Sequence, residues 1–448
     1  MNRREFTKAT LATLASVSIV PRHVLGGPNQ KAPSDRLNIA GIGVGGQGAS
    51  NLKECEEENI VALCDVDFER AAETFKRHPR AAIYQDFREM FDKEKDNIDA
   101  VVIATPDHTH AVATIRAIEA GKHIYCQKPL THTVTEARII TRAAREKGIQ
   151  TQMGNQGHSS EHIRLLKEWI DDGAIGNVTE VHAWTDRPVG GNPWSDFLIQ
   201  AKPAETPPVP DTLNWDLWLG PVAWRAYHPL YCPLKWRSWI DFGTGSLGDM
   251  GCHILDPAFY ALDLGMPETI SATSTHWQEE VSSQTFPRAS IVRYYFPARG
   301  NKPPVKLTWY DGRLRPQVPE DFEPGRNFPG SGAFIVGDKG AMLHGSHGAG
   351  GLRIVPETKM QAYQRPPETI PRVTEGHVGD WIRACKDGKP ASSTFDYGGP
   401  LTEMVLLGVL AIRMKDQVLE YDAKQGKFTN NDAANELLHI DYREGWTL

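Results

Sequence analysis

Between residues 37 and 153 short apolar runs alternate with amphipathic stretches. The runs at 37–42, 60–64, 98–104, 122–126 and 149–153 have strand length. Apolar positions recur every three or four residues over 46–58, 67–77, 85–92, 108–120 and 133–147, which predicts helices. Such alternation, with nearly continuous apolar strands, gives a parallel sheet covered on both faces. A further helix is expected over Ser160–Asp172. Beyond residue 268 the pattern shortens to strands: Thr269–Thr275, Ala289–Phe296, Val305–Tyr310, Ala333–Val336, Ala341–His344 and Leu352–Val355. These predict a large open, mostly antiparallel sheet, one face on helices and the other free for substrate or a second subunit. Helices follow over about 375–387 and 400–414, then a hairpin from Leu419 and a short helix, Ala433–Leu438.

In open parallel sheets ligands bind at the carboxyl ends of the strands, so the residues after each run are informative. The first run leads into Gly41-Ile42-Gly43-Val44-Gly45-Gly46, with glycines 41, 43 and 46 in G-x-G-x-x-G spacing before a helical pattern. Gly41 allows a tight turn, Gly43 lets a pyrophosphate approach the backbone, and Gly46 is expected to let helix and strand pack closely. Gly45 belongs to the same loop. The helix N-terminus offers N–H groups to phosphate. The second run ends in Asp65, placed to bind a ribose 2′-hydroxyl and to repel a 2′-phosphate, so NAD is preferred to NADP. The reading is a doubly wound Rossmann domain over 35–155, a substrate-binding α/β domain over 156–415, and a tail, 416–448, packing on the body.

After the third run stand Thr105, Asp107, His108 and His110. Thr105 and His108 are expected over the cofactor, although a histidine here also serves as a helix-start polar residue. After the fourth run come Gln127, Lys128 and Pro129; a lysine there can donate to a substrate oxygen. After the fifth, Asn155 and Gln156 bring amides toward the nicotinamide. A long segment, 186–241, is rich in Pro, Gly and Trp. Its tryptophans, Trp239 among them, either pack beneath the loop or wall a sugar ring. A second constellation, Gly243 to Asp256, opens a helix expected to reach about Leu264. Asp249 and His253 are four residues apart on one helix face, so Asp249, or alternatively Asp256, can orient an imidazole that takes a proton.

Together these pieces resemble the Gfo/Idh/MocA oxidoreductases, the family of glucose–fructose oxidoreductase and inositol dehydrogenase. The resemblance rests on Gly41 to Gly46, Thr105-Pro106-Asp107-His108-Thr109-His110, Lys128-Pro129, and Gly245 through Asp249 to His253, and extends from about Arg36 to Met414. It implies that Lys128, Asp249 and His253 form the catalytic set and contact the substrate; Trp239, from the aromatic segment, is expected beside them. His253 would be the base, Asp249 its orienting partner and Lys128 the group polarising the substrate oxygen. The family usually has Glu before the lysine; here it is Gln127.

At the N-terminus, Arg3-Arg4 with Phe6 precedes a mildly apolar run, Ala9 to Val20. This reads as a twin-arginine export signal over 1–26, placing the protein in the periplasm. Free nicotinamide cofactor is scarce there, so tightly bound, recycled NAD is expected. Elsewhere no apolar stretch is expected to be long enough for a bilayer span.

The net charge of −7 argues against a nucleic-acid partner. The six cysteines show no zinc spacing and no metal is expected. The expected function is hydride transfer from a hydroxyl of a sugar, glycoside or cyclitol to bound NAD. The alternative is a glycosidase or lyase that oxidises the sugar ring transiently, and a third reading is a non-catalytic sugar binder. Self-association through the open sheet is expected.

Overall fold

The computed structural model describes residues 35–189, 197–276, 278–326 and 328–448. The expected export signal lies outside these residues.

Six strands form the first sheet: β1 Asn38–Ile42, β2 Asn59–Cys64, β3 Ala82–Tyr84, β4 Ala100–Ile103, β5 His123–Cys126 and β6 Thr151–Met153. All are parallel, in the order β3-β2-β1-β4-β5-β6. The order reverses between β1 and β4, so a crevice opens at their carboxyl ends. β1 and β4 read as continuous apolar runs because helices cover both faces; Ile39, Ala40, Val101 and Ile103 are fully buried. The edge strand β3 was not anticipated: three residues with Ile83 exposed are too short to show a period.

The second sheet has nine strands, ordered β13-β12-β11-β7-β10-β9-β8-β14-β15. Their ranges are β7 Val178–Trp184, β8 Thr269–Ser274, β9 Ser290–Phe296, β10 Val305–Tyr310, β11 Gly332–Gly337, β12 Gly340–Gly345, β13 Arg353–Val355, β14 Val418–Asp422 and β15 Lys427–Phe428. Only β7 and β10 pair in parallel. β7, in the interior of the sheet, escaped the sequence reading because Thr179, Glu180 and His182 interrupt its apolar positions. The tail does more than pack on the body: β14 pairs with β8 and extends the sheet past residue 416.

The helix expected to reach Leu264 is two helices, Gly245–Ile254 and Asp256–Ala261. Pro257, in the first turn of the second, has no N–H with which to continue the first. Phe395–Arg413 is long and apolar enough to cross a membrane by length and composition, against the expectation that no such stretch exists. It is instead a core helix, with 83% of that stretch buried. It packs on the helix Val134–Lys147 of the first domain and on Gly245–Ile254 and β8 of the second. One helix therefore fixes both domains against the helix that carries Asp249 and His253.

Candidate active site

A cleft of about 380 Å³ lies at the carboxyl ends of β1, β2, β4 and β5. The glycine loop forms its floor. Gly43 has φ 75°, and a Cβ there would stand 2.8 Å from the carbonyl of Ala104. The close-packing glycine is Gly48 rather than Gly46: a Cβ on Gly48 would lie 1.9 Å from the Gly43 oxygen. Gly46 caps the helix Gln47–Glu54, Gly45 lines the cleft, and Gly41 lies within β1 beneath Leu52. No side chain caps that helix, so its N-terminus is open to a pyrophosphate, although the Gly48 N–H also reaches the Gly45 carbonyl at 3.2 Å.

Asp65 lines the cleft and also braces the loop. Its Oδ2 accepts from the N–H groups of Val44 at 2.8 Å and Gly45 at 3.1 Å, and its Oδ1 from Asp67 at 3.0 Å. Burial raises its pKa, opposed by these three bonds. Thr105 reaches the cleft, and its buried Oγ1 has no partner among the described residues. Gln127 also lines it, donating to Asn51 Oδ1 at 2.8 Å. A glutamate there would set its charge against that oxygen. This cradle fits a dinucleotide: the Gly43 turn admits no side chain, and the helix after it opens without a side-chain cap.

Three of the expected residues lie elsewhere. His108 is fully buried, its ring nitrogens facing the carbonyls of Phe242 and Trp218, and burial lowers its pKa to about 3. It joins the two domains behind the cleft, while Asp107, Thr109 and His110 on the same helix line it. Asn155 is fully buried, donating to Asp256 and accepting from Ser393. Trp239 is fully buried too; its Nε1 donates to the Leu230 carbonyl and its ring meets Tyr231 edge-on. Trp218 and Trp236 line the cleft instead. Most of the tryptophan-rich segment is packing: Trp215, Trp218, Trp236 and Trp239 share one apolar cluster. Trp194 lies outside the described residues.

Lys128, Asp249 and His253 converge at one end of the cleft. Lys128, at the end of β5, donates from Nζ to the Asp249 carbonyl at 2.7 Å and to Oδ1 at 3.0 Å. Arg187, just beyond β7, pairs with Oδ2, and Arg237 Nε stands 3.4 Å from Oδ1. Burial alone would raise the Asp249 pKa, but Lys128, Arg187 and Arg237 hold it well below the usual carboxylate range. Asp249 therefore serves the cations and does not orient His253. Asp256 does not either, since it accepts from His158, Asn155 and Tyr397. The His253 Nδ1 has no hydrogen-bond partner among the described residues.

Its ring lies against that of His347, centroids 4.2 Å apart. Burial first, then Lys128 and His347, push the His253 pKa well down, so its imidazole is neutral and can accept a proton. Opposite, Asp107 accepts from Thr244 Oγ1 at 2.6 Å, and burial raises its pKa to about 7. His110 ties two loops together, its ring nitrogens 2.8 Å from the Pro129 carbonyl and 2.9 Å from that of Thr105. At the opposite end Trp446 closes the wall, 6.0 Å from Phe87 and beneath the Arg88 guanidinium.

Sequence reasoning missed Arg187, Arg237, His347 and Trp446. Arg187 could have been found as a charged residue at a strand's carboxyl end, had β7 been recognised. His347 sits in a glycine-rich loop that carries no periodic signal.

A strand-ordered parallel sheet, a glycine cradle and a titratable cluster at the switch point define a dinucleotide-binding oxidoreductase fold. A model of the Gfo/Idh/MocA oxidoreductase family's NAD-binding Rossmann fold matches residues 37–155, and one of its C-terminal alpha/beta domain matches residues 159–292. The chain belongs to the Gfo/Idh/MocA oxidoreductase family, and its first domain binds NAD.

It is similar to levoglucosan dehydrogenase of Pseudarthrobacter phenanthrenivorans, 27% identical over 218 residues, covering 49% of this chain and 46% of that protein. It is also similar to inositol 2-dehydrogenase of Rubrobacter xylanophilus, 30% identical over 160 residues, 34% of this chain and 45% of that one. The chain thus spans less than half the length of these curated relatives. A solved levoglucosan dehydrogenase in complex with NADH shares the fold, with a TM-score of 0.57 at 20% identity, covering 86% of this chain and 99% of that chain.

Proposed function

We propose that this protein is an exported oxidoreductase that holds NAD tightly and acts on a CH–OH group of a sugar, glycoside or cyclitol. The observation that carries this reading is the convergence of Lys128, Asp249 and His253 in the cleft that the glycine loop floors. Bound on the loop, NAD supplies the hydride acceptor. Lys128, held by Asp249, donates a hydrogen bond to the reacting oxygen. His253, neutral and buried, takes the hydroxyl proton on the ring nitrogen presented to substrate. Gln127 and Thr105 offer polar groups to the nicotinamide half.

The Arg3-Arg4 signal supports periplasmic export. The exposed Tyr295 and Val418, on strands of the second sheet, support self-association through it. The His253–His347 pair favours a second reading, in which the ring is oxidised only transiently: elimination and hydration need another proton-transfer group, and His347 lines the same cleft.

The test is absorbance near 340 nm of the purified protein as sugars, cyclitols and aryl glycosides are added, with product analysis. A lasting rise with a keto product supports the dehydrogenase. Glycoside cleavage without a lasting rise, yet dependent on bound NAD, supports the transient cycle. A protein with neither bound dinucleotide nor affinity for one overturns both.

A further inference from the structure

The catalytic end of the cleft holds more positive charge than a neutral sugar requires. Lys128 and Arg187 share a single carboxylate, that of Asp249. Counted against it, these two alone leave one positive charge in excess among the described residues. Arg237 lines the same end. The other acid at this end among the described residues, Asp107, carries less than a full negative charge at neutral pH, because burial raises its pKa to about 7. The neighbouring imidazoles add no negative charge, and both are pushed toward neutrality by burial and by Lys128; Arg187 contributes as well.

Arg187 is placed to use this excess. It lines the cleft with its side chain 25% exposed, although Asp249 takes one of its nitrogens. A guanidinium carries five N–H donors in a fixed fork that matches a carboxylate or phosphate edge. Its backbone is fixed: Arg187 N–H donates to Thr185 Oγ1 and its carbonyl accepts from Gly312. Excess charge in a partly desolvated cleft is costly until an anion meets it.

We infer that the substrate is a sugar or cyclitol bearing an anionic group, a carboxylate or a phosphate ester, which seats on Arg187 beside the Lys128–Asp249 pair. This rests on the oxidoreductase reading above and names the class of molecule that the site admits.

The probes are glucose, glucuronate and glucose 6-phosphate, each titrated calorimetrically into the NAD-loaded protein and then followed at 340 nm. The expected result is that an anionic probe binds at least about tenfold more tightly than glucose at low salt, with the gap narrowing as ionic strength rises. Whichever anion leads identifies the source, carboxylate or phosphate. Arg187→Gln should bring the anion-to-glucose ratio close to one, and Arg187→Lys should keep part of it by retaining charge without the fork. Equal affinity of the wild-type protein for all three probes overturns the inference, as does a ratio that survives Arg187→Gln. Should the variants not fold, the wild-type ratio and its salt dependence still decide. Reduction of bound NAD by glucose without any anion preference sinks this inference and leaves the oxidoreductase reading standing. Anion preference in a protein that takes up no NAD sinks that reading instead.

Discussion

Lys128→Met removes the ammonium and keeps most of the side-chain volume. Two hydrogen bonds are lost, at 2.7 and 3.0 Å, from a lysine whose side chain is only 14% exposed. At an effective dielectric of about 20, charges this close attract by about 5 kcal/mol, most of it offset by desolvation. Arg187 and Arg237 stay beside Asp249, so the carboxylate does not become an unpaired buried charge. The net loss of stability should be about 1.5–3 kcal/mol, the range for a hydrogen bond to a charged group.

The effect on chemistry is larger and has a sign. Turnover should fall about 10²–10⁴-fold, the usual contribution of a positioned proton donor. Lys128 also helps depress the His253 pKa. In the wild-type protein that imidazole stays neutral well below pH 6.5, so the acid limb of the rate profile lies low. Without Lys128 the folded pKa rises and the limb moves to higher pH. Single-turnover reduction of bound NAD, followed at 340 nm from about pH 5 to about pH 9, reads both quantities. An unchanged limb with turnover within about threefold of wild type refutes the assignment of Lys128 and its coupling to His253.

Asp65→Ala should relax the preference for NAD over NADP and also weaken NAD itself by about tenfold or more, because the carboxylate braces the Val44 and Gly45 N–H groups; equilibrium titration with both dinucleotides checks this. Asp107→Asn should remove a titration near pH 7 from the rate profile, since the wild-type carboxyl ionises at about that pH; a persistent transition would place it on another group. Trp446→Ala opens the wall beside Phe87 and should speed NAD release by about tenfold or more, read by stopped-flow displacement with excess NADH.

The first domain was legible because its signals are local. The central strands β1 and β4 are short apolar runs, and Gly43, Gly45, Gly46, Asp65 and Lys128 all follow strand ends. The glycine roles were less legible: Gly46 and Gly48 look alike in sequence, and only the approach of Gly48 to the Gly43 carbonyl separates them. Asp249 and His253 share a helix face, which suggested a hydrogen bond between them. Spacing along one helix cannot reveal that Lys128 and Arg187 arrive from other elements and claim the carboxylate first. Trp239, His108 and Asn155 had the right chemistry at plausible places, yet each is fully buried against partners distant in sequence. β7 was lost because a strand flanked on both sides need not alternate cleanly, and Arg187 was lost with it.

The helix Phe395–Arg413 packs on both domains and on the helix that carries Asp249 and His253, while Arg187 and His347 reach the cleft from outside that core. The redox half and the half that meets substrate thus differ in how freely they can vary. A change in the core disturbs several supports at once. A change at the ends of β7 or β12 alters what is admitted and leaves the NAD seat intact. Relatives built on this plan can acquire new substrates by a few substitutions at strand ends, with no need to rebuild the hydride-transfer centre.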